Sequence, residues 1–434
     1  MSVSTDEMYN SGDRYLHKRF LIHFSKTNVL EVLRSNYLMS SNILEETFKV
    51  TDSPFGELSS NELELSLLNI DGTFNPKNPS SPYYGLIRRG IKIEAFIRPD
   101  EVDEWDPVGV FYVTDWNTSS SGTSAEVVAN DALYPILNAP VPSLIMYKDV
   151  PFAEFITMYF SLFDIDVSVD KSIDLTIPYA FTSGYTDNRK LLADLMTAAM
   201  ADCFCKHDGS VAIVSKVAPL AIRAEMTDND QIISIALKQS ISTDYDSAKV
   251  TCNTMQESAE QSILTISDLN VTPGINDTEL TKFSSDVVSS VRSISVIGTD
   301  TVKPISFNAT TDSIVCSLQS TSNATIKLDV VGTVLDSISS VLYTEGASAI
   351  EVNSKFVQTQ YRAKTILDYV DAYVKAATPT LDLTIRGNPR LELGSLIHIN
   401  SDRYKVDFTG VLVKVKHSYT GGFTCDITLA AITA

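Results

Sequence analysis

Pro76, Pro79 and Pro82 lie close together in the stretch Asn69 to Ile97, and they constrain the chain more than any other feature. Each fixes its own φ and removes a backbone donor, so the middle of the stretch can be neither helix nor central strand. A shaped loop is required, and strands should flank it. Before the loop, Leu63, Leu65 and Leu67 alternate with Glu62, Glu64 and Ser66. After it, Ile91, Ile93, Ala95 and Ile97 alternate with Lys92, Glu94 and Phe96. This period-two pattern predicts strands with one buried face, either in a barrel or in a sandwich.

The 434 residues exceed one ordinary core, so several domains are expected. Residues 14–50 carry short apolar runs with little helical signal beyond Ile43 to Phe48. With the loop stretch and residues 107–132 they predict a first β-barrel domain, 1–135. Residues 136–217 read as a small α+β domain. There Pro151 opens a helix carrying Phe152, Phe155, Ile156, Tyr159, Phe160 and Phe163, Asp187 caps a second helix, and Asp208-Gly209 marks a hairpin. Residues 218–350, rich in Ser, Thr, Val and Ile, predict a β-rich accessory domain of short strands. Asn353 or Ser354 is expected to cap one long helix, 351–379, stopped by Pro379. Residues 380–434 return to strands. The fold class expected is mainly β with an α+β insert: two related β-barrel domains plus accessory α+β and β-rich domains.

The relation between the barrels rests on an internal echo. Gly109 to Trp116, Gly122 and Ala125 to Ala129 match Gly410 to His417, Gly422 and Cys425 to Leu429, with Glu126 and Asp426 at the same step. Upstream, Arg89-Gly90-Ile91-Lys92-Ile93 is echoed by Leu393-Gly394-Ser395-Leu396-Ile397. Either a repeated barrel or two unrelated hairpins with Gly-rich turns gives this pattern. On the first reading Gly90, Gly109, Gly122, Gly394, Gly410 and Gly422 are barrel turns or close backbone approaches, and a branched residue at Gly122 or Gly422 should destabilise.

Formal net charge is −20, which disfavours a surface that grips nucleic acid by neutralising phosphates. The five cysteines, Cys203, Cys205, Cys252, Cys316 and Cys425, are odd in number and scattered, so they form no disulfide framework. Cys203, Cys205 and His207 lack a second donor pair nearby in sequence, and His17, His23, His398 and His417 form no metal motif. The acidic run Asp100, Glu101, Asp103, Glu104 and Asp106 lacks calcium-loop spacing and reads as a solvated loop. Neither a nucleophile elbow nor a phosphate-binding loop is present, and Arg88-Arg89 is too small a basic patch to hold nucleic acid. The expectation is therefore no enzyme activity, no catalytic residues, no cofactor and no metal. The polar start, Met1 to Asp13, lacks the basic and apolar regions of a signal peptide, and no apolar run is long enough to span a bilayer.

The motif Leu-x-Asn-x-Asp-Gly-x-Phe-x-Pro-x-Asn-Pro-x-Ser-Pro-Tyr-Tyr-Gly over Leu67 to Gly85 resembles bacteriophage tail proteins. Tyr361 to Tyr369, Gly387-Asn388-Pro389-Arg390-Leu391-Glu392-Leu393-Gly394, Val411 to His417 and Gly421-Gly422-Phe423-Thr424 resemble the closing region of phage tail-hub, or baseplate-hub-like, proteins. Together these matches cover about half the chain, and residues 245–350 match poorly. The resemblance implies a structural virion protein assembled in the host cytoplasm. It implies a homotrimeric ring that joins the tail tube or distal tail proteins to tip, spike or fibre proteins, around a channel that DNA crosses without specific binding. Two alternatives stay open: an envelope-directed component, glycan-binding or cell-wall hydrolase, and a hexameric distal-tail-type protein.

Overall fold

The computed structural model describes residues 9, 15–47, 54, 56, 58–217, 222–228, 232–238, 245–280, 283, 287–375, 380–420 and 422–431. The N-terminal strands are β1 (Leu16–His23), β2 (Val29–Leu33), β3 (Leu38–Glu46), β4 (Glu62–Leu68), β5 (Lys92–Pro99), β6 (Asp106–Thr118) and β7 (Ser124–Asn130). Their alternation is as expected: Leu63, Leu65 and Leu67 of β4 and Ile93, Ala95 and Ile97 of β5 are buried. Ile43 to Glu46, which carries a helical signal in sequence, is instead the end of β3. There Ile43 faces the core while Asn42 and Leu44 are less buried, and two ladders hold it extended.

Next come α1 (Leu133–Leu137), β8 (Tyr147–Pro151), α2 (Phe152–Ser161), β9 (Val167–Val169), β10 (Thr176–Ala180), α3 (Asn188–Ala199), β11 (Ala201–Cys205) and β12 (Val211–Ser215). Pro151 is the residue before the first helical turn of α2, not inside it. Asp187 caps α3, its carboxylate accepting from the Lys190 amide at 2.7 Å. Strands β13 (Ile222–Thr227) and β14 (Ile232–Lys238) follow, then β15 (Ser247–Glu257), β16 (Gln261–Val271), β17 (Gly274–Leu280), β18 (Val287–Ile297), β19 (Val302–Ala309), β20 (Ile314–Ser320), β21 (Ala324–Tyr343) and β22 (Ala349–Asn353). The chain closes with α4 (Gln360–Lys375), β23 (Thr380–Arg386), β24 (Leu396–Ser401), β25 (Val406–Tyr419) and β26 (Phe423–Ala431).

Neither Asn353 nor Ser354 caps α4. Thr359 does, its hydroxyl accepting from the Arg362 amide at 3.2 Å. Ser354 is buried and donates to the Asp194 carbonyl, which fixes the turn before the helix. Pro379 lies outside the described residues.

The two expected barrels are one continuous 13-stranded sheet. It runs β14-β23-β26-β25-β3-β4-β7-β6-β5-β1-β2, with β24 on β25 and β13 on β24. Antiparallel pairing of β25 with β3 joins the halves, and among the described residues no ladder closes either half into a separate barrel. β13 and β14, expected in the accessory region, instead complete the C-terminal half by pairing with β24 and β23. One core runs beneath both halves, from Phe20, Ile43 and Phe111 to Leu383, Val415 and Ile427.

A second core spans the α+β region and also takes in Ala248 and Val250 of β15, Ile350 and Val352 of β22 and the buried face of α4, Ala363, Ile366, Leu367 and Val370. The long helix therefore packs onto the α+β region. A third core, with Ile314, Cys316, Leu318, Leu328 and Val330, lies among β16 to β21. β21 spans the second and third regions: its first part pairs with β16 and β18 and its last part with β15. No described helix is long and apolar enough to cross a membrane.

Candidate functional site

The proline loop caps the N-terminal half with aromatic rings. Asn69 receives the Phe74 amide at 2.7 Å and donates to the Gly122 carbonyl, tying the loop to the β6–β7 turn. Phe74 is fully buried and packs edge-on against Tyr37 at 5.0 Å, while Tyr83 stacks on Phe24 at 4.2 Å. Trp116 donates its indole N–H to the Phe74 carbonyl at 3.0 Å. The prolines keep the loop out of the ladder, and these contacts give it one shape.

Beyond the loop, the two halves repeat one unit. The spatial orders β4-β7-β6-β5 and β23-β26-β25-β24 follow one rule: counted along the chain, the first strand pairs with the fourth, the fourth with the third, and the third with the second. Gly90 (φ +81°) donates to the Val113 carbonyl at 2.8 Å, and Val113 donates back to Ile91 at 2.9 Å. Gly394 (φ +77°) donates to the Leu412 carbonyl at 2.9 Å, and Leu412 donates back to Ser395 at 2.8 Å. The third and fourth strands then slip register at matching places, after Val113 and after Leu412. On the outer faces Ser66 donates to Glu126 at 3.0 Å and Thr384 donates to Asp426 at 2.7 Å.

Matching Val113 with Leu412 moves the sequence echo by two residues. Gly109 and Gly410 are therefore not equivalent positions. Gly109 (φ +153°) sits beside a register shift in β6, where a Cβ would meet its own Phe111 ring. Gly410 lies in β25, where a Cβ would come within 2.8 Å of the Ala430 carbonyl oxygen. Gly122 (φ +72°) turns β6 into β7. Gly422 has no left-handed φ, and no atom of the described residues lies near the position of an added Cβ, so the strain expected of a branched residue there has no basis in this backbone.

No protein-family model matches the sequence, and no curated protein is similar to it. The fold has clear likenesses among solved structures. The 43 kDa tail protein of prophage MuSo2 from Shewanella oneidensis aligns with a TM-score of 0.55 at 11% identity, over 96% of this chain and 98% of that one. The tail protein from Neisseria meningitidis MC58 aligns with a TM-score of 0.54 at 9% identity, over 96% of each chain. The chain shares the fold of these two tail proteins. Within this tail-protein fold, the seam between the repeated units holds a group of residues that sequence spacing did not bring together.

Glu45 of β3, His417 of β25 and His207 of the β11–β12 turn meet in the interior and are almost wholly shielded from solvent. His207 Nε2 lies 3.2 Å from both Glu45 carboxylate oxygens, and His417 Nε2 lies 3.3 Å from Oε1. On its other side His417 Nδ1 is 3.0 Å from Cys425 Sγ, and His207 Nδ1 is 3.9 Å from Glu392 Oε1. Burial works to raise the Glu45 carboxyl, but the two imidazoles outweigh it and hold it down at about 2. Burial likewise opposes the charged form of His417, yet the Cys425 sulfur and Glu45 push it up to about 9. His207 is also raised, its burial outweighed by Glu45. Beside them Lys18 is buried among the rings of Phe20, Tyr419 and Phe423, and its amine is brought down to about 7, chiefly by burial.

The sequence candidates are distributed differently. Cys203 and Cys205 are buried in the α+β core. In the acidic run, Asp100 pairs with His17 at 2.6 Å, while Asp106 accepts from Tyr9 at 2.6 Å and pairs with Arg390. Sequence reading missed Glu45 and Lys18 and left His417 unassigned. Glu45 and His207 stand 162 positions apart, so only the β3–β25 seam and the neighbouring hairpin unite them.

Proposed function

We propose that this chain is a structural protein of a phage tail tip. Three copies form a hub ring that surrounds the DNA channel and joins the tail tube to tip, spike or fibre proteins. The single observation that carries the reading is the repeated four-strand unit, laid side by side in one sheet with the same glycine hydrogen bonds and the same register slips. Three chains with two such units each present six similar faces, which can meet a six-fold tube without leaving half its contacts unmatched. Among the described residues the strands β2 and β14 each have one ladder partner, and closing a ring through such edges protects them. The exposed Ile275, Ile305, Phe307 and Val315 of the outer β17–β20–β19 sheet suit contact with further tip proteins. The charge of −20 suits a passage that DNA crosses without sticking. The role is non-enzymatic, and incubation with cell-wall sacculi should release no fragments.

Native mass spectrometry and electron cryomicroscopy of the purified assembly test the reading. A trimer with six units around the axis is expected. A six-fold ring with one unit per chain at the axis would sink the hub reading and favour a hexameric distal-tail-type protein.

A further inference from the structure

We propose that Glu45, His207 and His417 form a buried site for one divalent transition-metal ion of the zinc class, which fastens the two repeated units to each other and to the α+β region. The three side chains come from β3, from β25 and from the β11–β12 turn. Their donor atoms lie within 4.8 Å of one another. A tetrahedral zinc ion, with bonds of about 2.0–2.1 Å, sets neighbouring ligand atoms roughly 3.3–3.4 Å apart. The nitrogen-to-oxygen separations here are 3.2 Å and 3.3 Å, close to that edge length without movement of the backbone.

A second observation is independent of spacing. His417 Nε2 is buried and, among the described residues, has no hydrogen-bond partner, although Glu45 Oε1 is 3.3 Å away. Its contact with Glu45 is poorly directed for a hydrogen bond, and a cation between the two groups removes that defect. The opposite nitrogen of His417 already has an orienting neighbour of the kind ligating histidines use, Cys425 Sγ at 3.0 Å, and Glu392 lies at ion-pair distance, 3.9 Å, from that of His207. Two imidazoles and one carboxylate match zinc better than calcium or magnesium, which take oxygen donors. Water supplies the fourth ligand, because Cys425 contacts the far side of the His417 ring. Binding displaces any proton on the two Nε2 atoms into solvent, and the carboxylate binds ionised.

Full-length protein, stripped by chelator and dialysed, is titrated with Zn2+ and separately with Co2+. One equivalent of Zn2+ per chain and a higher melting temperature are expected. The Co2+ form should show the visible absorption of a tetrahedral ion and no thiolate charge-transfer band. Glu45→Gln and His207→Gln should lose stoichiometric uptake, while Cys425→Ala should keep it with affinity weakened about 10–100-fold. Absence of saturable uptake by the wild-type chain, an octahedral-type cobalt spectrum, or unchanged uptake by both folded ligand variants overturns the proposal. If a variant fails to fold, the wild-type stoichiometry and cobalt spectrum still decide it.

Discussion

Gly90 and Gly394 occupy the same station in the two halves of the sheet, each with a left-handed φ and each donating to the third strand of its own unit, at Val113 and Leu412. The match extends to the residues that follow, Ile91 and Ser395, which accept the return hydrogen bonds. No side chain makes this contact, so the two stations can keep one geometry while their neighbouring residues differ.

Alanine at Gly90 or Gly394 should cost about 1 kcal/mol or more, because an L side chain is strained at these φ values. Gly394→Ala also crowds the Phe204 ring, 3.3 Å from a new Cβ. Gly410→Ala should cost more through its clash with the Ala430 carbonyl, while Gly422→Ala should be close to neutral. Urea midpoints of the purified variants rank them, and a Gly422→Ala loss equal to that of Gly394→Ala contradicts the assignment.

Phe74→Ala should destabilise by about 3–5 kcal/mol, since it empties the centre of the aromatic cap. Trp116→Phe should cost about 1 kcal/mol by leaving the Phe74 carbonyl without its indole donor. Protease nicking within 70–90, read by mass spectrometry, should rise in both variants. Unchanged nicking would separate the loop from the cap.

Lys18 gives a pH dependence. Its amine is lowered to about 7 from 10.5 by burial among Phe20, Tyr419 and Phe423, partly offset by Cys425. At this group the unfolded chain therefore binds more protons between these values, and the Lys18 contribution to stability rises as pH rises from about 7 toward 10.5. Lys18→Met should stabilise most below pH 7 and progressively less above it. Thermal melts across that range check the sign, and a gain independent of pH would refute the buried-charge account.

In metal-free protein Glu45→Ala should cost about 2–3 kcal/mol by removing the charged acceptor of His207 and the ion-pair partner of His417. Leu44→Ala, one position away and less buried, is the control. Chemical denaturation of both variants, with chelator present, measures the difference. Equal losses would mean that the seam depends on packing alone.

The local elements can be read from the order of residues. Alternation placed β4 and β5, Asp187 placed the start of α3, Asp208-Gly209 placed the β11–β12 hairpin, and the prolines required the loop. The echo of Glu126 and Asp426 also carried a true relation, seen in their matching hydroxyl partners Ser66 and Thr384. These signals are legible because each depends on neighbours a few residues away in the chain. Long-range packing set the rest: the halves share one sheet, β13 and β14 complete the second half, and α4 packs on the α+β core. The same packing brings Glu45, His207 and His417 together. Strand alternation says which face is buried but not which edge a strand will pair with. The β3–β25 ladder, which brings Glu45 beside His417, is a contact between distant segments chosen by the whole core.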